Sequence, residues 1–115
     1  MQIIKFNSIN STNSYLENLI NKIHLEDFSA VVADYQSNGF GQYGTKWSSE
    51  RGKNLLISIF KKNIQTDIKN QFYINMRVSL AVFMTLKSLE IHELSIKLPN
   101  DILYRNNKIS GILIK

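Results

Sequence analysis

The order of segments predicts an α/β or α+β fold, a mixed sheet packed with helices. Short runs rich in β-branched and aromatic residues recur at 2–6, 29–34, 54–61 and 94–98, and as a closing pair at 101–105 and 108–115. Two other stretches carry apolar residues at helical spacing. The resulting order is β-α-β-loop-β-α-β-β-β, with no internal repeat, linker or low-complexity segment. At 115 residues the chain suits one small domain, and 43% apolar residues are enough to build its core.

Q-I-I-K-F at 2–6 reads as a short strand. The polar cluster Ser11-Thr12-Asn13-Ser14 then precedes Leu16, Leu19, Ile20 and Ile23, which share one helical face. Ser14 with Glu17 fits a capping box, and Ser11 or Thr12 are the other candidate caps. S-A-V-V-A-D at 29–34 reads as a buried strand. Residues 35–53, rich in Gly, Ser and Asn, read as a long loop of the kind that usually carries function. N-L-L-I-S-I-F-K at 54–61 reads as another strand. Residues 70–89 contain Phe72, Met76, Leu80, Phe83, Met84 and Leu86 with no breaker, which predicts a long, largely buried helix. Pro99 ends the strand at 94–98. Asn106-Asn107, both tolerant of positive φ, predicts a hairpin between 101–105 and 108–115. The last of these strands is expected to run to residue 115 as a bare edge able to pair with another strand, as in a homodimer.

Composition removes several functions. No cysteine is present, which excludes disulfides, thiolate zinc sites and a cysteine nucleophile. No apolar run is long enough for a membrane span, and no secretory pattern opens the chain, so a cytoplasmic protein is expected. The net charge is +5, which suits an anionic partner such as a nucleotide or phosphate. The basic residues are dispersed, however, and Lys61-Lys62 is their only adjacent pair. A nucleic-acid-binding module is therefore a minor alternative, and no DNA partner is expected.

Two segments carry the chemistry. The first, Y-Q-S-N-G-F-G-Q-Y-G-T-K-W at 35–47, places Gly39, Gly41 and Gly44 in a G-x-G-x-x-G pattern between Gln36 and Trp47. A dinucleotide fingerprint needs a helix to open directly after it, and polar T-K-W-S-S-E-R-G-K-N follows instead. A kinase loop needs a following valine and a V-A-I-K strand, and both are missing. What remains is a loop whose amides can close over a phosphate, or a surface turn with no ligand. The second segment, K-L-P-N-D-I-L-Y-R-N-N-K-I-S-G-I-L at 97–113, presents Asn100, Asp101 and Lys108. Asp101 is suited to Mg²⁺, to a ribose hydroxyl or simply to capping a turn. Lys108 is either a solvated hairpin lysine or a cation for an anion brought by the loop.

In this order and spacing, the two segments and Ser11-Thr12-Asn13 resemble the biotin protein ligase catalytic domain. That family has an S-T-N segment at its first helix, a Tyr-Gln before a G-R-G-x-x-G loop, a Trp after it, then K-W-P-N-D and K-[IL]-x-G-I-L. The resemblance runs from about residue 6 to the end. It implies a fold like that of class II aminoacyl-tRNA synthetases and biotin ligases. It also implies that residues 1–115 are the N-terminal part of the catalytic domain, C-terminally incomplete.

The implied activity is formation of biotinyl-5′-adenylate from biotin and ATP, with Mg²⁺, and transfer of biotin to a lysine of a biotin carboxyl carrier domain. By resemblance Ser11, Thr12, Asn13, Gln36 and Gly39 hold biotin. Gly39, Phe40, Gly41, Gln42, Gly44 and Trp47 border the adenylate. Asn100 and Asp101 meet metal, phosphate or acceptor lysine, and Lys108 is the catalytic cation against carboxylate and α-phosphate. The lid and the Lys108 ammonium are expected to converge on one anionic centre. Phe40 and Gln42 stand where the family carries arginines, Leu98 where it has tryptophan, and Lys115 where it has an acid. A charge-assisted phosphate contact contributes about 1.5–3 kcal/mol, so the arginine-poor lid should hold an adenylate less tightly. The alternative reading is a catalytically inactive fragment that binds biotin weakly or self-associates through its edge strand.

Overall fold

The computed structural model describes residues 1–64 and 67–115, which fall into two compact units, Met1–Ile64 and Gln65–Lys115. The architecture is mixed α+β, as the segment order predicts. Among the described residues, no helix is long and apolar enough to cross a membrane.

The first unit is built on a mixed three-stranded sheet. β1 (Ile3–Phe6) pairs in parallel with β2 (Ala30–Ala33), and β2 pairs antiparallel with β5 (Leu56–Ile59). The parallel pair needs a crossover, and α1 (Thr12–Ile20) supplies it. Side chains alternate across the sheet, so Val31, Ile4 and Ser58 share one face. Leu16, Leu25 and Val31 form the core, with Ile4, Phe6, Tyr15, Leu19 and Phe60 packed against it. Phe6 and Tyr15 meet edge to face at 4.8 Å. Near the end of β5, the Lys61 ammonium lies 2.6 Å from Asp27 Oδ2, and that hydrogen bond holds the Asp27 carboxyl below its usual range.

Ser11, not Ser14, caps α1: its backbone is extended and its Oγ accepts the Ser14 N–H at 3.2 Å. The helix stops at Asn21, whose Nδ2 bonds the Glu17 carbonyl, and Ile23 therefore falls outside the helix and is exposed. The 35–53 loop is more ordered than its composition suggests. It folds back as a two-stranded ribbon, β3 (Gly39–Phe40) against β4 (Lys46–Trp47), closed by a turn at Gln42–Gly44.

The second unit is an antiparallel meander of β6 (Leu94–Lys97), β7 (Asp101–Tyr104) and β8 (Asn107–Gly111), preceded by α2 (Ile68–Ser88). Asp67 caps α2 through Oδ1 to the Asn70 N–H at 2.8 Å. At the other end the Glu90 N–H bonds Lys87 O and the Ile91 N–H bonds Leu86 O. That is a Schellman closure, made with Glu90 at φ 62 where glycine is usual.

Three expectations are corrected in this unit. The long helix is not largely buried. Its buried positions are Asn75 and Ser79, while Phe72, Met76, Leu80 and Met84 recur every four residues on an exposed stripe. A single three-stranded sheet covers too little of a 21-residue helix to bury all its apolar sides. The hairpin turns at Arg105-Asn106 (φ 47 and 68), one residue earlier than predicted, because Tyr104 pairs with Asn107 across a two-residue loop. Arg105 accepts this geometry with its N–H on the Glu93 carbonyl and its Nε on the Glu93 carboxylate. Finally, β8 ends at Gly111 and not at residue 115. Ile112 bonds Asn100 in both directions, at 2.9 Å and 2.8 Å, and beyond Asn100 the partner strand turns away through Pro99.

Relieving the left-handed glutamate should stabilise the fold. Glu90→Gly removes a backbone penalty of about 1–2 kcal/mol at the cost of about 0.5–1 kcal/mol in unfolded-chain entropy. Urea unfolding should show a net gain of up to about 1 kcal/mol with an unchanged m-value. A loss of stability would contradict this reading of the helix end.

Candidate functional site

In the first unit, the sequence Ser11-Thr12-Asn13 opens α1 directly opposite Gln36. The Gln36 amide oxygen accepts both the Thr12 N–H at 2.8 Å and the Thr12 hydroxyl at 3.0 Å. Both lone pairs of that oxygen are thereby used, and the amide orientation follows from them. Thr12 Oγ1 also lies 2.8 Å from Ser58 Oγ, and Ser58 Oγ contacts Asn13 Oδ1. These three contacts share only two hydroxyl protons. All three are made if the Asn13 amide is turned so that Nδ2 donates to Ser58, which donates to Thr12, which donates to Gln36. That turn leaves the Asn13 oxygen as a free acceptor at the head of the chain.

The backbone fixes this cluster from both sides. Ile9 pairs with Gln36 in a parallel bridge, the Ile9 N–H bonding Tyr35 O and the Ser37 N–H bonding Ile9 O. Asn38 N–H bonds Asn10 O at 2.8 Å, and Ser37 Oγ bonds Asn10 Oδ1 at 3.0 Å. The Gln36 Nε2 protons have no protein acceptor among the described residues. Gln36 lines a cleft of about 190 Å³ with Tyr35, Gly39, Lys46, Trp47 and Ser49. The Ser49 hydroxyl is buried and lacks a protein partner among the described residues. The cleft therefore combines spare Gln36 amide donors and a half-buried indole, and with its amide turned the Asn13 oxygen adds an acceptor at the far end of the relay. It suits a small neutral polar head that needs donors and acceptors at once.

Gly39 is required by contact. A β-carbon there would sit 2.7 Å from Gln36 Nε2 and 2.9 Å from Trp47 O. Gly41 is similarly confined by Thr45 Oγ1 at 2.8 Å, while its N–H bonds Thr45 O at 2.6 Å. Gly44 instead meets nothing, and its left-handed φ of 75 follows Tyr43 at φ 56 round the ribbon tip. Phe40 and Gln42 lie on this ribbon and its turn.

The second unit holds Asn100, Asp101 and Lys108. An extra residue in β8, Ile109, makes a β-bulge between the pairs Leu103↔Lys108 and Ile102↔Ser110. Ile102, fully buried, then faces Ser110, and Lys108 shares the other face with Leu103 and Asp101. The Lys108 ammonium lies 3.0 Å from Asp101 Oδ1, a buried oxygen. Among the described residues that oxygen has no aligned hydrogen-bond donor, so the contact is an ion pair. The Lys108 side chain remains about half exposed, with a relative accessibility of 44%. Asn100 is committed through Nδ2 to the Ile112 carbonyl.

A metal is poorly served here. The buried Asp101 oxygen faces an ammonium, and the described residues contain no group of three or more His, Cys, Asp or Glu able to hold an ion. A larger hollow of about 420 Å³, lined by Glu90, His92, Glu93, Tyr104 and Arg105, contains none of the motif residues, and its Arg105–Glu93 charges already pair with each other.

Three participants were missed from sequence. Ser58 is buried on the core face of β5, and the alternation L-I-S-I could have exposed it as the polar residue on the buried parity. Asn10 gives no signal before the parallel bridge is known. Arg51 stacks over Tyr35 at 5.0 Å and reaches the Asn7 carbonyl at 3.3 Å, a pairing with no local sequence signature.

The α+β fold, with Thr12 of the first helix bonded to Gln36 beside a glycine ribbon, holds a candidate small-molecule site, and comparison with known proteins gives its family. The chain belongs to the biotin/lipoate A/B protein ligase family, whose model matches residues 5–115. It is 31% identical over 107 residues to the bifunctional ligase/repressor BirA of Escherichia coli, covering 93% of this chain and 32% of that protein. It is similar to biotin protein ligase from Aquifex aeolicus, solved with biotin and ATP, at TM-score 0.81 and 28% identity over 97% of this chain and 45% of that one. Biotin acetyl coenzyme A carboxylase synthetase from Helicobacter pylori, solved with biotinylated ATP, aligns at TM-score 0.73 and 25% identity over 99% and 54%. The chain thus spans about a third of the ligase/repressor and about half of the solved chains.

Gly39→Ala should act on the cleft through Gln36. The added methyl must push either the Gln36 amide or the Trp47 carbonyl, an overpacking cost of about 1–3 kcal/mol. Binding of small ligands to the cleft should fall at least tenfold by calorimetry, whereas Gly44→Ala should lower stability without that selective loss. Equal binding by Gly39→Ala and the unsubstituted protein would refute the tight contact.

Proposed function

We propose that this chain provides the biotin-recognition and adenylation residues of a biotin protein ligase. The observation that carries the reading is the Thr12–Gln36 pairing. It leaves the Gln36 Nε2 donors in the cleft, while the Ser58–Asn13 end of the relay offers an acceptor. Biotin's ureido ring has one carbonyl and two N–H groups, so it needs that mixture. Ligand-bound structures of the A. aeolicus and H. pylori proteins support the choice of biotin and ATP.

The reaction follows from charge. Biotin's carboxylate attacks the α-phosphate of ATP, a P–O bond to pyrophosphate breaks, and a mixed anhydride forms. An amine, the ε-amino group of a lysine on a carboxylase carrier domain, then attacks the acyl carbon. AMP leaves, and the amide keeps the biotin. Two anions must meet in the first step, so a fixed cation lowers its barrier. Lys108 is assigned that task. Asp101 holds the ammonium on one face of the hairpin, and the bulge at Ile109 sets which face that is. Magnesium enters as the counter-ion of the substrate ATP. The glycine ribbon excludes water from the anhydride, which hydrolysis would otherwise waste. Trp47 packs beside the base or the bicyclic ring.

Binding without turnover is the second reading, favoured by Phe40 and Gln42 in the ribbon and its turn. Pyrophosphate release with biotin and ATP separates the two. The ligase reading expects biotin-dependent release, reduced about 100-fold or more in Lys108→Ala. Biotin binding with no release in the unsubstituted protein would establish the second reading, and an unaffected Lys108→Ala would remove Lys108 from catalysis.

A further inference from the structure

Between Tyr35 and Ser49 the chain has a single charged side chain, Lys46. It lines the cleft with Gln36, Gly39, Trp47 and Ser49. Its backbone is fixed by pairing with Phe40 across the ribbon. The neighbouring cations are already engaged: Arg51 is held over the Tyr35 ring and on the Asn7 carbonyl, and Lys53 lies 2.9 Å from Glu50. Lys46 has no ion pair or hydrogen bond among the described residues. The other side chains lining the cleft, Tyr35, Gln36, Ser37, Asn38, Trp47, Ser48 and Ser49, are neutral. Lys46 is exposed at the rim of this neutral cleft, and its flexible stem lets the unpartnered ammonium reach an oxyanion bound there.

We propose that Lys46 is the ribbon's oxyanion contact, pairing with the carboxylate of biotin or the phosphate of the adenylate and supplying the positive charge that Phe40 and Gln42 do not. The proposal rests on the ligase reading and assigns it a specific residue. Lysine is a compact point charge on a flexible stem, so it follows an oxyanion without needing the fixed fork of an arginine. Its attraction should be salt-sensitive for the same reason.

The test is calorimetric titration of the unsubstituted protein, Lys46→Ala and Lys46→Arg with biotin, with neutral biotinamide and with ATP. Lys46→Ala should lose about tenfold or more in affinity for an anionic ligand, keep its affinity for biotinamide, and lose part of its salt dependence, with Lys46→Arg restoring most of the loss. A loss confined to biotin identifies the carboxylate as the contact, and one confined to ATP identifies the phosphate. Equal affinities of Lys46→Ala and the unsubstituted protein for both anions overturn the proposal while leaving the ligase reading intact. An equal loss for biotinamide also overturns it, because the lysine then acts by shape. If the unsubstituted protein binds none of the three ligands, the ligase reading falls and takes this proposal with it.

Discussion

Gln36 has one amide oxygen, and Thr12 claims it twice, through its N–H and through its hydroxyl. The arrangement of the first unit depends on that pairing. It joins the start of α1 to the segment leaving β2, and it fixes which end of the Gln36 amide faces the cleft. Ser58 extends it from β5, so three elements distant in sequence meet in one polar relay. Buried polar relays of this kind are stable only when every member is satisfied. Here the Gln36 Nε2 protons find no protein acceptor among the described residues, and the proposed ligand is assigned to them.

The constraint spreads outward through glycine. Because the Gln36 amide occupies its place, residue 39 has no room for a β-carbon, and the chain continues into the ribbon that carries Trp47 and Lys46. In the second unit the organising device is a bulge. One inserted residue re-aims β8, so that Ser110 faces the buried Ile102 and Lys108 stays beside Asp101. In the proposed chemistry the first unit reads the neutral head of the ligand and the second supplies a held cation. Recognition by neutral donors and acceptors, with charge kept for the reacting group, is an economical division because buried unpaired charge is costly.

Much of this was legible in the residues themselves. Periodicity located both helices and the main strands, and the parallel β1–β2 pair follows from the helix between them. The S-T-N, Y-Q and glycine segments pointed to the residues that meet in the cleft. What was not legible depends on tertiary pairing. Ser11 rather than Ser14 caps α1 because the chain enters extended from Asn10, which no local pattern reveals. The turn fell on Arg105-Asn106 because Glu93, twelve residues earlier, pairs with Arg105 and makes a left-handed arginine tolerable. The exposed stripe of α2 was read as buried because apolar spacing reports what a helix offers, whereas burial depends on what covers it. Asn10 and Arg51 were invisible because each acts on a residue more than fifteen positions away.

The account turns on the Thr12–Gln36 cleft being the place where biotin binds. Titrating biotin into nitrogen-15-labelled protein reads this directly, residue by residue. The account predicts that the Thr12, Asn13 and Gly39 amides and the Gln36 side-chain amide shift together along one saturating curve. Shifts gathered instead around Glu90–Arg105, or none at any biotin concentration, would contradict it.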